Sequence, residues 1–105
     1  IPFRCLRFHL EEFPELKVPH MGWDIVRLED PTDPLVRGFE PTPRYYFVHS
    51  FYARCEQPAD ALMTCDYGLP FTAAVRHGNV WGTQFHPEKS HRFGMALLKN
   101  FAEVC

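Results

Sequence analysis

A chain of 105 residues, 46% of them hydrophobic and ten of them phenylalanine, is one domain's worth of sequence with enough apolar surface for a packed core. Eleven basic against thirteen acidic residues leave a formal charge of −2 with no basic run, which excludes the electrostatic footprint of a nucleic-acid binder. No apolar stretch reaches the roughly 20 residues of a membrane span, and no charged-then-apolar leader opens the chain, so a soluble, cytoplasmic protein is expected.

In chain order, residues 3–10 predict a strand, and the Glu-Glu-Phe-Pro-Glu segment after them predicts a loop in which Pro14 forbids a continuous helix. Lys17-Val18-Pro19-His20-Met21-Gly22-Trp23 reads as a turn, leading into a strand with one wet face over residues 24–29. Four prolines and one glycine make residues 30–43 a loop. The aromatic and β-branched run at 45–52 lacks clean alternation and predicts one strand, central in its sheet and covered on both faces. Residues 61–67, 71–76 and 80–85 predict three more strands, with His77-Gly78-Asn79 as a hairpin turn. Ser90 is a helix N-cap by type, and Phe93, Leu97, Phe101 and Val104 recur at helical spacing, so an amphipathic helix of about four turns closes the chain. The fold class expected is α/β, locally α+β: a mixed, largely antiparallel sheet covered by a C-terminal amphipathic helix.

The chemistry concentrates in Trp81-Gly82-Thr83-Gln84-Phe85-His86-Pro87-Glu88-Lys89-Ser90. Side chains at i and i+2 of an extended segment point the same way, so Glu88 can lie beside His86, fix its tautomer and stabilise its imidazolium. A base and its orienter are therefore present, two thirds of a catalytic triad. The nucleophile is not in view. A strained strand-to-helix elbow with glycines around a Ser or Cys is absent from the sequence, and Cys5, Cys55, Cys65 and Cys105 have no flanking glycine. Their spacing makes neither a disulfide framework nor a CxxC knuckle, so reduced thiols in ordinary packing are expected. His86 and His91 flank Glu88, yet no third ligand accompanies them, which argues against a zinc site. The 45–52 run lacks basic residues at its edges and reads as sheet core rather than a stacking platform.

Gln84-Phe85-His86-Pro87-Glu88-Lys89-Ser90, with Pro19-His20-Met21-Gly22-Trp23, Tyr46-Phe47-Val48-His49-Ser50 and Gly94-Met95-Ala96-Leu97-Leu98-Lys99-Asn100-Phe101, resembles the C-terminal half of the class I, triad-type glutamine amidotransferases. The combination is narrower than the first motif alone and is similar to the glutaminase subunits of imidazole glycerol phosphate synthase, of histidine biosynthesis; the turn at Trp23 disfavours a glutaminase serving another synthase. The resemblance runs from about Lys17 to Phe101 and implies half of a flavodoxin-like domain over residues 1–105, with no cofactor. It implies that a cysteine outside this chain attacks the amide of glutamine, that His86 acts as base and then acid, and that Glu88 holds His86. It further implies that backbone groups at Ser50 and Phe51 seat the glutamine. His20, Trp23 and Lys89 would face a cyclase subunit that receives the ammonia. Asp24 stands where such chains commonly carry asparagine, and Phe51 where they often carry tyrosine. The start at Ile1 suggests an upstream portion. Without one, the chain is expected to hydrolyse no glutamine and to expose strand edges that seek a second copy or a partner. The reading from another class is a non-catalytic half domain that serves as an oligomeric or binding module.

Overall fold

The computed structural model describes residues 3–8, 16 and 18–104. The predicted loop at 11–15, the end of the first predicted strand and Cys105 lie outside the described residues. Among the described residues eight strands and one α-helix follow in order: β1 Phe3–Arg7, β2 His20–Ile25, β3 Arg27–Leu28, β4 Arg44–His49, β5 Phe51–Cys55, β6 Ala61–Tyr67, β7 Leu69–His77, β8 Val80–Thr83 and α1 His91–Val104. Six of the strands form one sheet in the order β1-β5-β7-β6-β3, and β8 pairs with the far end of β7. The nine-residue β7 serves two neighbours on one edge: Thr72 faces Ala53 of β5, and Ala74 to His77 face β8. The β7–β8 hairpin closes through Gly78-Asn79, where Gly78 takes a φ of +62° at no steric cost. Strands β2 and β4 form a separate antiparallel ribbon, with His20 opposite His49 and Trp23 opposite Tyr46. Every pairing among the described residues is antiparallel.

The 45–52 run departs from the sequence expectation in two ways. It breaks at Ser50 into β4 and β5, which join different sheets, and β4 alternates cleanly with Tyr45, Phe47 and His49 inward. The strand expected over 24–29 starts at His20 and is interrupted at the fully buried Val26. Apolar outward residues at Tyr46 and Val48 mask the alternation in the sequence, because periodicity reads hydrophobicity and not direction.

Between the ribbon, the large sheet and α1 lies a core built on Tyr45, Phe47, Phe71, Phe85, Met63 and Leu97. Tyr45 stacks on Phe85 with centroids 3.8 Å apart, and its hydroxyl is buried with no hydrogen-bond partner among the described residues. A Tyr45→Phe substitution removes a desolvated group without making a cavity, so a gain of up to about 1 kcal/mol is expected in urea unfolding. Helix α1 turns Gly94, Leu97 and Asn100 inward, leaves Phe93 half-buried and exposes Phe101, so the stripe is rotated from the one expected. Asn100 explains the rotation: its Nδ2 donates to Leu35 O and Arg37 O at 3.0 and 2.9 Å, tying α1 to the turn at Pro34–Val36.

That turn is fastened by Asp33, which is buried. Its carboxylate accepts from Leu35 N at 2.9 Å, Trp81 Nε1 at 3.2 Å and Arg76 Nη1 at 2.6 Å. Asp33→Ala strips a cap and leaves an indole N–H and a guanidinium without their acceptor, and a loss of about 3 kcal/mol is expected in urea unfolding.

Candidate active site

The segment that carries His86 leaves β8 and crosses to the ribbon, where His86 N–H donates to Tyr46 O at 3.0 Å. Pro87–Lys89 then make one 3-10 turn that brings the Glu88 side chain back over the ring. His86 Nδ1 lies 2.8 Å from Glu88 Oε1, so the expected contact is made, but through a 3-10 turn and not the extended segment from which it was expected. With Nδ1–H donating to the carboxylate, the neutral ring presents its lone pair at Nε2, the arrangement a general base needs. Both side chains are open to solvent, at 38% and 61% relative exposure. The Glu88 carboxyl is held below its ordinary range, first by its own backbone N–H and then by the His86 ring.

Two residues outside the pair set this geometry. Ser90 is fully buried, its Oγ donates to His86 O at 2.7 Å and accepts from Tyr46 N at 3.0 Å. The predicted N-cap role is thus only half met: its carbonyl accepts the first helical bond, from Gly94 N at 3.2 Å, while its hydroxyl staples the His86 turn to β4. Gly94 passes so close to the turn that an added Cβ would stand 1.7 Å from Pro87 O. Neither of these roles follows from the sequence expectation, although an isolated glycine inside a helical pattern is a signal that something packs closely there.

The other expected site residues fall in different places. Ser50 and Phe51 form the step between β4 and β5, past the end of the strand that carries Tyr46. Ser50 O accepts from Phe8 N at 3.1 Å, and Phe51 O accepts from His49 Nδ1 at 2.8 Å. Trp23 and Lys89 are exposed, and Trp23 stacks on His91 at 5.5 Å. His20 is buried, its ring between Phe47 and Tyr67, so it does not share their surface. Trp23, Arg44, His91, Arg92 and Phe93 line an open hollow of about 560 Å³ at the start of α1. Cys5 is exposed, Cys55 half-buried and Cys65 buried, all as free thiols. Burial pushes the Cys65 thiol well above its ordinary range, which makes it a poor nucleophile.

Burial lowers the His49 pKa to about 4, with the Phe51 carbonyl opposing and the nearness of His20 and His86 assisting. The folded chain therefore refuses a proton that the unfolded chain accepts below about 6.5. The stabilisation this gives is complete above pH 6.5 and is lost as the pH falls toward 4. We expect about 2 kcal/mol across that interval in urea unfolding, with a flatter profile for His49→Gln.

Comparison with known proteins shows the family of the chain. The family described as "Glutamine amidotransferase class-I" matches residues 7–105. "Imidazole glycerol phosphate synthase subunit HisH" of Acinetobacter baylyi is 48% identical over 95 residues, covering 90% of this chain and 46% of its own length. "Imidazole glycerol phosphate synthase subunit HisH 2" of Pseudomonas aeruginosa is 54% identical over 90 residues, covering 84% and 43%. The chain thus spans about half the length of the curated relatives it matches. A solved structure from Thermoplasma acidophilum, of a protein described as a GMP synthase subunit, superposes with a TM-score of 0.73 at 18% identity over 98% of this chain and 48% of that one, which shows a shared fold.

Proposed function

The chain belongs to the class I glutamine amidotransferases, and from that premise we propose that residues 1–105 are a partial domain, the C-terminal half of a cytoplasmic glutaminase subunit of imidazole glycerol phosphate synthase. The observation that carries the reading is the 2.8 Å contact between His86 Nδ1 and Glu88 Oε1, held on a turn stapled to β4. His86 Nε2 takes the proton of a cysteine thiol supplied by the other half of the domain. The thiolate adds to the carboxamide carbon of glutamine, and the imidazolium returns the proton to the departing nitrogen, which leaves as ammonia. A water then cleaves the thioester with His86 again as base. Glu88 keeps the ring in the required tautomer throughout.

None of the described cysteines stands on a glycine-flanked elbow, so the chain alone hydrolyses no glutamine. The apolar outward face of the ribbon, with Met21, Trp23 and Ile25 of β2 opposite Val48, Tyr46 and Arg44 of β4, supports a protein partner there, a cyclase subunit that accepts ammonia before water protonates it. Lys89 lies on the adjoining turn. The same face supports a second reading, a homodimer or binding module without chemistry. The deciding experiment supplies the N-terminal half of the Acinetobacter baylyi relative in trans or by fusion and measures ammonia from glutamine. Release by the joined protein and none by the chain alone is expected. Release by the chain alone, or none from a well-folded fusion, overturns the proposal, and sedimentation of the unfused chain as a stable dimer favours the second reading.

A further inference from the structure

Beneath the ribbon, four groups lie in a line: the Asp24 carboxylate, the rings of His20 and His49, and the Phe51 carbonyl. His20 Nε2 is 3.1 Å from Asp24 Oδ2, His20 Nδ1 is 2.9 Å from His49 Nε2, and His49 Nδ1 is 2.8 Å from Phe51 O. All three are hydrogen-bond distances, and each bond needs one hydrogen. The two ends are acceptors only, a carboxylate and a carbonyl, while two neutral imidazoles bring one N–H each. Three bonds and two hydrogens do not balance in any combination of tautomers. If His49 donates to Phe51 O and His20 donates to His49, a lone pair of His20 faces the carboxylate. If both rings are turned the other way, a lone pair of His49 faces the carbonyl.

We infer that Asp24, His20 and His49 form a single-proton store, in which the ring pair takes one added proton from solvent against the Asp24 carboxylate and so holds the Phe51 carbonyl in place. A second observation, independent of the count, says where the charge resides. The His20 ring is sandwiched between Tyr67 at 4.0 Å and Phe47 at 4.9 Å, with interplanar angles of 27° and 25°, and the faces of both rings carry negative potential that favours an imidazolium. His49 has no such sandwich: Phe8, Phe47 and Phe71 meet it tilted.

The titratable surroundings agree with one proton and not two. Burial lowers His20 on balance, with Asp24 opposing it, whereas His49 is pressed down further by burial and by its nearness to His20 and His86, with only the Phe51 carbonyl opposing. From β6, the Cys65 thiol lies against Asp24 and is raised out of range, so it stays neutral, and Tyr67 presents its ring face. Asp66 and Arg27 neutralise each other outside. Asp24 Oδ1 is already engaged by Ile25 N at 2.9 Å, which fixes Oδ2 on His20.

The store itself rests on no assumption about chemistry. That the Phe51 carbonyl so held helps to seat glutamine rests on the function proposed above. Asp24→Asn separates the two: the amide oxygen can keep the Ile25 bond while its N–H₂ donates to His20 Nε2, so three bonds form with no added proton and the ribbon keeps its shape. The experiment is a titration of the 105-residue chain followed by ¹⁵N-resolved NMR of the imidazole nitrogens. As the pH falls from the ordinary histidine value of about 6.5 toward the His49 value of about 4, His20 is expected to take its second proton before His49 does. The Ser50 and Phe51 amide signals should move with that step. In Asp24→Asn the step should disappear from this range. Two rings that load independently, or a step that is unchanged by Asp24→Asn, overturn the inference. Should the variant not fold, the wild-type order of loading decides alone. Failure of the glutaminase fusion leaves this titration untouched, so the two readings fall separately.

Discussion

Replacing His86 by alanine in the chain fused to a nucleophile-bearing half lowers ammonia release from glutamine by about 10²–10⁴-fold, the usual share of a positioned general acid–base. The ring is half open to solvent and contributes no side chain to the buried core, while its backbone N–H and carbonyl hold the turn to Tyr46 and Ser90. Those backbone bonds survive the substitution. Stability should therefore change by less than about 1 kcal/mol, and the loss should fall on kcat. A Glu88→Gln variant keeps an acceptor oxygen for Nδ1–H and removes only the charge, so its loss should be smaller, about tenfold. Steady-state kinetics with both variants, beside circular dichroism to verify the fold, checks the pair. Equal activity of His86→Ala and the parent would remove His86 from the chemistry.

Gly94→Ala is expected to be the most destabilising single substitution described for this chain, costing more than about 4 kcal/mol, beyond the ordinary range for a point change. The reason is backbone against backbone. The new Cβ would meet Pro87 O at 1.7 Å and Pro87 C at 2.7 Å, and no rotamer can relieve a methyl group attached directly to the main chain. Either α1 or the Pro87–Lys89 turn must move by more than about 1 Å to restore an ordinary contact, and the turn carries Glu88. His91, at the start of α1, already sits at a φ of +48°, so the join has little slack to absorb the shift. Urea unfolding measures the stability, and the fusion assay should show a fall in kcat beyond the loss of folded protein. A near-neutral Gly94→Ala would mean that this approach is not as close as the structure has it.

The face that α1 buries is only partly legible in its amino-acid order. Hydrophobic spacing located α1 but chose the stripe at Phe93, Leu97, Phe101 and Val104, whereas the buried line runs through Gly94, Leu97 and Asn100. A glycine and an asparagine carry no hydrophobic signal. Their positions are set by the Pro87 backbone and by the Leu35 and Arg37 carbonyls, which are distant in sequence. The break at Ser50 was hidden for a related reason. An aromatic run reads as one strand until a local side-chain bond, His49 to Phe51 O, and a long-range one, Phe8 N to Ser50 O, divide it between two sheets.

What the amino-acid order by itself determined is local: the β7–β8 hairpin at Gly78-Asn79, the C-terminal helix, and the pairing of His86 with Glu88. Each depends on a few consecutive residues whose spacing dictates direction. Only the tertiary structure decided that Ser90 staples the His86 turn to β4, that His20 turns inward while Trp23 faces out, and that Asp24, His20, His49 and Phe51 form one line. His20 and His49 are 29 residues apart, and they meet because β2 and β4 pair in one particular register. A hydrogen-bond count can be closed only once every donor and acceptor has been brought to its place.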